Sequence, residues 1–289
     1  FKEPIVNLLV SLFPGSDPMS LQMRVSAFHV IFNVTTTCLL LPFVNHLVKY
    51  SFAVIKDKKE QTESMSLKYV DDRLLTTPPV ALMQVKKEIE YMLGLVEENI
   101  RLSFVAVDSG STERGEEIRN NEEIIDFTNR ALTQFLIKLS ANVEESDEKV
   151  IGAYFHVLND LERIGDNAEN FHEIGVEMRQ KEIAFSDKAQ MGITKMREQI
   201  LQMFTISKDV FENLNKQELS KLTALEEDVD GMKKDLIASH FVRLAEGICS
   251  AEVSPYYSSL VSGLERVADH LVNVGFSIIN PTGSQKVEE

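Results

Sequence analysis

The chain has 289 residues, 44% of them hydrophobic, which suffices for a real core in one or two domains. Its formal net charge is -15. Lys2, Arg24 and Lys49 against Glu3 and Asp17 leave the first fifty residues at +1, so the remainder carries -16. That acidic balance argues against nucleic acid and for cations as partners. Neither cysteine, Cys38 or Cys249, belongs to a Cys-x-x-Cys or Cys/His cluster, which argues against a disulfide scaffold and a zinc-thiolate site.

The chain opens on Phe1 without a signal-peptide layout and reads as the continuation of something longer. Residues 1–13 are apolar but too short to span a bilayer, and Pro14-Gly15-Ser16-Asp17-Pro18 predicts a turn. From Val25 to Leu47 no Asp, Glu, Lys or Arg occurs, a length that suits about 30 Å of hydrocarbon. Lys49, Lys56, Lys58 and Lys59 follow, the basic flank expected on the cytoplasmic side of a membrane helix. A buried helix of a soluble protein is the alternative for this stretch. His29 and Asn33 are four apart and share a helical face.

After a linker at 56–76, the pattern predicts six helices: Pro78 to about Val107, about 116–143, 149–181 after a cap at Ser146, a helix from the Ser186 cap to Leu214, 217–248, and Ser254 to about Asn280. Thr77-Pro78 reads as a cap followed by proline at the first helical position, and Leu82, Val85, Ile89, Met92, Val96 and Ile100 carry the helical spacing of the first. Strand-like alternation is scarce, so the class is all-α.

Two passages repeat. Leu161-Glu162-Arg163-Ile164-Gly165-Asp166 with Asn170 returns as Leu264-Glu265-Arg266-Val267-Ala268-Asp269 with Asn273, an offset of 103. An offset of 104 lays Glu122 and Asp126 over Glu226 and Asp230, and Leu132 over Leu236. Two tandem three-helix bundles follow, at 77–183 and 184–281, with a tail at 282–289. Each carries one carboxylate pair on its middle helix and another on its last.

At i, i+4 and i+8 these oxygens stack on one helix face. Glu122, Asp126, Glu162, Asp166 and Asn170 in the first bundle, and Glu226, Asp230, Glu265, Asp269 and Asn273 in the second, are therefore candidate metal ligands. Crowded carboxylates repel unless a cation lies among them, and oxygen donors suit Fe, Mn, Mg or Ca. The alternative is an ion-pair network neutralised by Arg163 and Arg266. A ferritin-like di-iron centre needs Glu-x-x-His twice, and only Glu169-Asn170-Phe171-His172 supplies it. No GxSxG, HExxH, Walker or dinucleotide motif occurs, so no catalytic activity is expected.

The doubled Glu-Arg-[Ile/Val]-[Gly/Ala]-Asp-x-x-x-Asn, with Glu-x-x-x-Asp on each preceding helix, resembles the PhoU domain across roughly residues 78–280. The resemblance implies a regulatory domain of phosphate uptake whose acidic motifs can bind metal clusters. Ala27-Phe28-His29-Val30-Ile31-Phe32-Asn33 and Leu39-Leu40-Leu41-Pro42-Phe43 resemble the last membrane helix of bacterial sodium/phosphate cotransporters, with His29, Phe32, Asn33 and Pro42 at motif positions. The glutamine-serine motifs of that family do not occur in these residues. Together the two resemblances imply the C-terminal portion of a sodium-dependent phosphate symporter in the plasma membrane. Residues 1–55 would end its transport domain, residues after about 50 would be cytoplasmic, and phosphate and sodium would be handled by an N-terminal membrane domain. A homodimer is compatible with this reading, and a free-standing PhoU-type signalling adaptor bound to a transporter or sensor kinase is the alternative.

Overall fold

The computed structural model describes residues 2–15, 17–44, 65–141 and 143–280. They divide into two units, one up to Glu63 and one from Ser64 onward. Among the described residues the secondary structure is helical throughout.

The first unit holds α1 (Lys2–Leu12) and α2 (Pro18–Leu40), followed by a 3-10 turn at Leu41–Phe43. α2 starts seven residues ahead of the expected span, because Asp17 accepts a hydrogen bond from the Ser20 N–H and Pro18 occupies the first turn. Its end at Leu40 precedes Pro42, which has no N–H to continue the ladder. The earlier start brings in Arg24, whose guanidinium donates to the Phe13 carbonyl at 2.9 and 2.7 Å and to that of Gly15. Arg24 thereby satisfies carbonyls just past the end of α1. Pro18–Phe43 is long and apolar enough to cross a membrane and none of it is buried. His29, Phe32, Asn33 and Pro42 are all exposed. Residues 45–47 of the expected span, Lys49, the linker up to residue 64 with its lysines, and the tail at 282–289 lie outside the described residues.

The second unit contains α3 (Pro78–Ser109), α4 (Gly115–Ser140), α5 (Glu145–Gln180), α6 (Asp187–Asn213), α7 (Leu219–Ala245) and α8 (Ser254–Ile279). α3, α4 and α5 pack on one another, as do α6, α7 and α8, and the long faces of α5 and α8 join the two triplets. Every residue named above for the periodicity of α3 is buried. α5 contributes Val157, Leu158, Leu161, Ile164, Ala168 and Phe171, and α8 contributes Leu260, Leu264, Val267, Leu271 and Val274 to the same core. A glycine at Gly175 lets α5 lie against the Ala106 backbone of α3, where a methyl group would collide.

The helix ends differ from expectation for local reasons. Thr77 accepts the first backbone bonds of α3 but its hydroxyl turns back to Leu74. α5 begins at Glu145, ahead of Ser146. α7 begins at Leu219 after a 3-10 turn at Lys216–Glu218. It stops at Ala245 because Gly247 adopts φ 71° and the N–H groups of Ile248 and Cys249 return to the Arg243 carbonyl. Residues 65–76, expected as linker, are docked on the unit: Val70 is buried, and Glu88 of α3 accepts the N–H groups of Lys68 and Tyr69 at 3.1 and 2.6 Å.

Candidate metal-binding site

In the second bundle α7 presents Glu226 and Asp230 one turn apart, and α8 presents Glu265 and Asp269 opposite them. One oxygen each from Glu226, Asp230 and Asp269 lies within 4.8 Å of the other two, and all three residues are half-buried. Burial raises the Glu226 pKa above the ordinary carboxylate range, with Asp230 and Asp269 adding to it. Asp269 is raised by burial, Glu265 and Asp230, while His270 and Lys233 oppose the shift. Glu265 is turned aside to Lys233, whose Nζ is 2.8 Å away. Lys234 stands 3.9 Å from Asp230.

The first bundle arranges the same residue types differently. Glu122 of α4 lies over Gly165 of α5, where a Cβ would come 2.7 Å from Glu122 Oε2. The small residue in the repeated motif is therefore what admits this carboxylate. Both Glu122 oxygens are shielded from solvent and have no hydrogen-bond partner. Burial, followed by the charges of Asp166, Asp126, Glu169 and Glu162, pushes the Glu122 pKa up to about 8. Glu162 and Asp166 are also raised, in both cases by burial first and then by neighbouring carboxylates, with Arg163 acting against the shift. Asp126 is held by Arg130 at 2.9 Å.

Asn170 is exposed and Asn273 half-buried, and among the described residues no hydrogen bond ties either to the carboxylates. The ion pairs that do form on these faces use Arg130, Lys233 and Lys234. Arg163 and Arg266, the cations expected to neutralise the motif, are exposed. His172 is buried beside Gly115 with its Nδ1 unpartnered, and burial holds its pKa below the usual range.

The candidate ligands on both faces are oxygen donors, and crowded carboxylates that the ion pairs with Arg130, Lys233 and Lys234 compensate only in part are the chemistry that a hard divalent cation relieves. The orphaned Glu122 oxygens and the convergent Glu226, Asp230 and Asp269 both fit that requirement.

The sequence model of the PhoU domain matches this chain twice, at residues 89–174 and 193–278. The chain belongs to the PhoU domain family. It is 22% identical over 282 residues to the "Putative inorganic phosphate export protein YjbB" of Escherichia coli (strain K12), a match covering 96% of this chain and 51% of that protein. A "Phosphate-specific transport system accessory protein PhoU homolog 1" of Thermotoga maritima is 23% identical over 203 residues, covering 68% of this chain and 85% of that protein. The crystal structure of PhoU from Pseudomonas aeruginosa superposes with a TM-score of 0.65 at 19% identity, over 69% of this chain and 96% of that one. That likeness establishes the PhoU fold. The chain spans about half the length of the export proteins it matches.

Proposed function

We propose that this PhoU-family chain is the membrane-linked regulatory portion of a phosphate transporter, and that divalent cations on its acidic faces adjust phosphate flux. The observation that carries the reading is the extent of the YjbB match. At 96% of this chain it takes in the apolar helix Pro18–Leu40 together with both PhoU repeats, whereas the match to the PhoU homolog of Thermotoga maritima covers 68%. The apolar surface of that helix, none of it buried, fits a lipid or protein environment.

The proposal extends to sodium-coupled symport on the resemblance carried by His29, Phe32, Asn33 and Pro42, with residues after about 50 on the cytoplasmic side. Its role is binding rather than catalysis. Glu226, Asp230 and Asp269 would hold one cation, and Glu122, Asp126, Glu162 and Asp166 another, each drawn from oxygen-preferring Mg, Ca, Mn or Fe. A bound cation would add to the positive charge that Arg130, Lys233 and Lys234 supply only in part. Regulation then requires that the cation distinguish two states of the protein.

Cells carrying Asp166→Ala together with Asp269→Ala test the reading through radiolabelled phosphate flux, resolved into uptake and export. A changed rate, or a changed response of that rate to external phosphate, is expected. Unchanged flux and unchanged regulation contradict it. Recovery of the chain from the soluble fraction favours the free-standing adaptor instead.

A further inference from the structure

The duplicated bundles diverge at one end. The offset of 104 that superposes the acidic pairs of α4 and α7 lays the buried Leu82, Leu136 and Leu139 over Ser186, His240 and Arg243. On the last helices the offset of 103 lays the buried Ile151 over Ser254, and Tyr154 over Tyr257. An apolar layer in the first bundle thus becomes two hydroxyls, an imidazole and a guanidinium in the second.

These groups form one cluster. The His240 ring stacks on Tyr257 with centroids 4.7 Å apart, and Arg243 lies over the same ring at 5.6 Å. His240 Nε2 is 2.9 Å from Ser254 Oγ. Cys249, which closes the turn after α7, donates its thiol to Ser186 Oγ at 3.7 Å.

The cluster satisfies itself only in part. The Tyr257 hydroxyl and the Cys249 thiol stand beside the Arg243 guanidinium. His240 is 1% exposed and Arg243 7% exposed, yet His240 Nδ1 and Arg243 Nε and Nη2 make no well-formed hydrogen bond. Among the described residues no carboxylate lies within ion-pair distance of Arg243. Burying an unpaired guanidinium is costly, and leucine fills the equivalent space in the first bundle. A departure of this kind from an otherwise repeated core points to function.

The two idle donors also have a shape. Nε and Nη2 form one edge of the guanidinium, the edge that grips two oxygens of a single anion side-on. α6 begins beside this layer at Ser186, whose side chain does not cap the helix, and α8 begins there at Ser254. The covering turn is short: Gly247 is left-handed and the following Ile248 is exposed.

We infer that this end of the second bundle binds a small oxyanion of the phosphate class, with Arg243 as the side-on clamp and His240, fixed by Ser254, beside it. The site is separate from the cation faces, since Arg243 lies thirteen residues beyond Asp230, about 20 Å along α7. It stands whether or not those faces hold metal.

The test is thermal unfolding of the full chain in detergent against inorganic phosphate and against sulfate. A chelator is present throughout, and chloride at matched ionic strength serves as the control. The expected result is a saturable rise in Tm with phosphate. Arg243→Lys keeps the charge but loses the two-donor edge, and is expected to weaken binding at least about tenfold. The His240→Leu, Arg243→Leu double variant restores the pair with which the first bundle folds. It is expected to unfold no lower than the parent without anion and to ignore phosphate. The inference is overturned if the parent responds to neither anion beyond chloride, or if Arg243→Lys binds phosphate as the parent does.

Discussion

His270 Nδ1 of α8 lies 2.8 Å from Asp160 Oδ1 of α5, a half-buried contact that joins the last helices of the two bundles. The offset of 103 makes Asn167 the counterpart of His270 and Gly263 the counterpart of Asp160. Asn167 and Gly263 also face each other, with Asn167 Oδ1 3.1 Å from where a Gly263 Cβ would lie. The two pairs are the same pair of positions seen from either side of a pseudo-twofold, so the interface between repeats is isologous within one chain. One copy of the contact became polar and the other became close-packed.

The close-packed copy is the sensitive one. A Cβ on Gly263 would stand 2.5 Å from Phe171 Cε1, and that ring is wedged in the core. Gly263→Ala is expected to destabilise the protein by about 1–3 kcal/mol through overpacking, read as a lower urea midpoint at unchanged slope. An unaltered midpoint would show that Phe171 can yield.

Glu122 predicts a pH dependence with a definite sign. Its pKa is about 8 in the folded chain against 4.5 for the ordinary carboxyl, so the folded state holds a proton that the unfolded state has released across this interval. Its stabilising contribution is full below about pH 4.5 and falls away as pH rises to about 8. In a chelator the parent should lose stability across this window more steeply than Glu122→Gln, and the variant should be the more stable at pH 8. Parallel Tm profiles would contradict the assignment.

Much of this fold is legible in spacing alone. Leu82 through Ile100 announce α3, and the repeated Glu-Arg-x-x-Asp places both acidic pairs on the helices that carry them. Which carboxylates converge is not legible, because it depends on residues of the facing helix. Glu265 leaves its group for Lys233 of α7, and Glu122 brings its oxygens into a shielded site only because α5 carries Gly165 there. His240 and Arg243 escape a search for acidic motifs. Their signal is the offset itself, which sets them where leucines 136 and 139 stand in the first copy. The end of α7 was written in Gly247, a residue suited to the left-handed turn that stops a helix.

Glu88 gives a local prediction. It is 1% exposed, and its two oxygens hold the backbone of Lys68 and Tyr69 against α3. Glu88→Ala is expected to cost about 1–2 kcal/mol, since water can replace part of the loss at these exposed residues. Amide exchange should accelerate at Lys68 and Tyr69 while the interior of α3 stays protected. Uniform acceleration along α3 would assign Glu88 to the core instead.

The acidic faces are most directly tested by calorimetric titration of Mn²⁺ into the chelator-stripped protein, beside the triple variant Glu226→Gln, Asp230→Asn, Asp269→Asn. The parent is expected to bind at least one ion saturably, and the variant to lose the event assigned to the second bundle while keeping the fold. Absence of saturable heat in the parent, or an unchanged isotherm in the variant, would contradict the account.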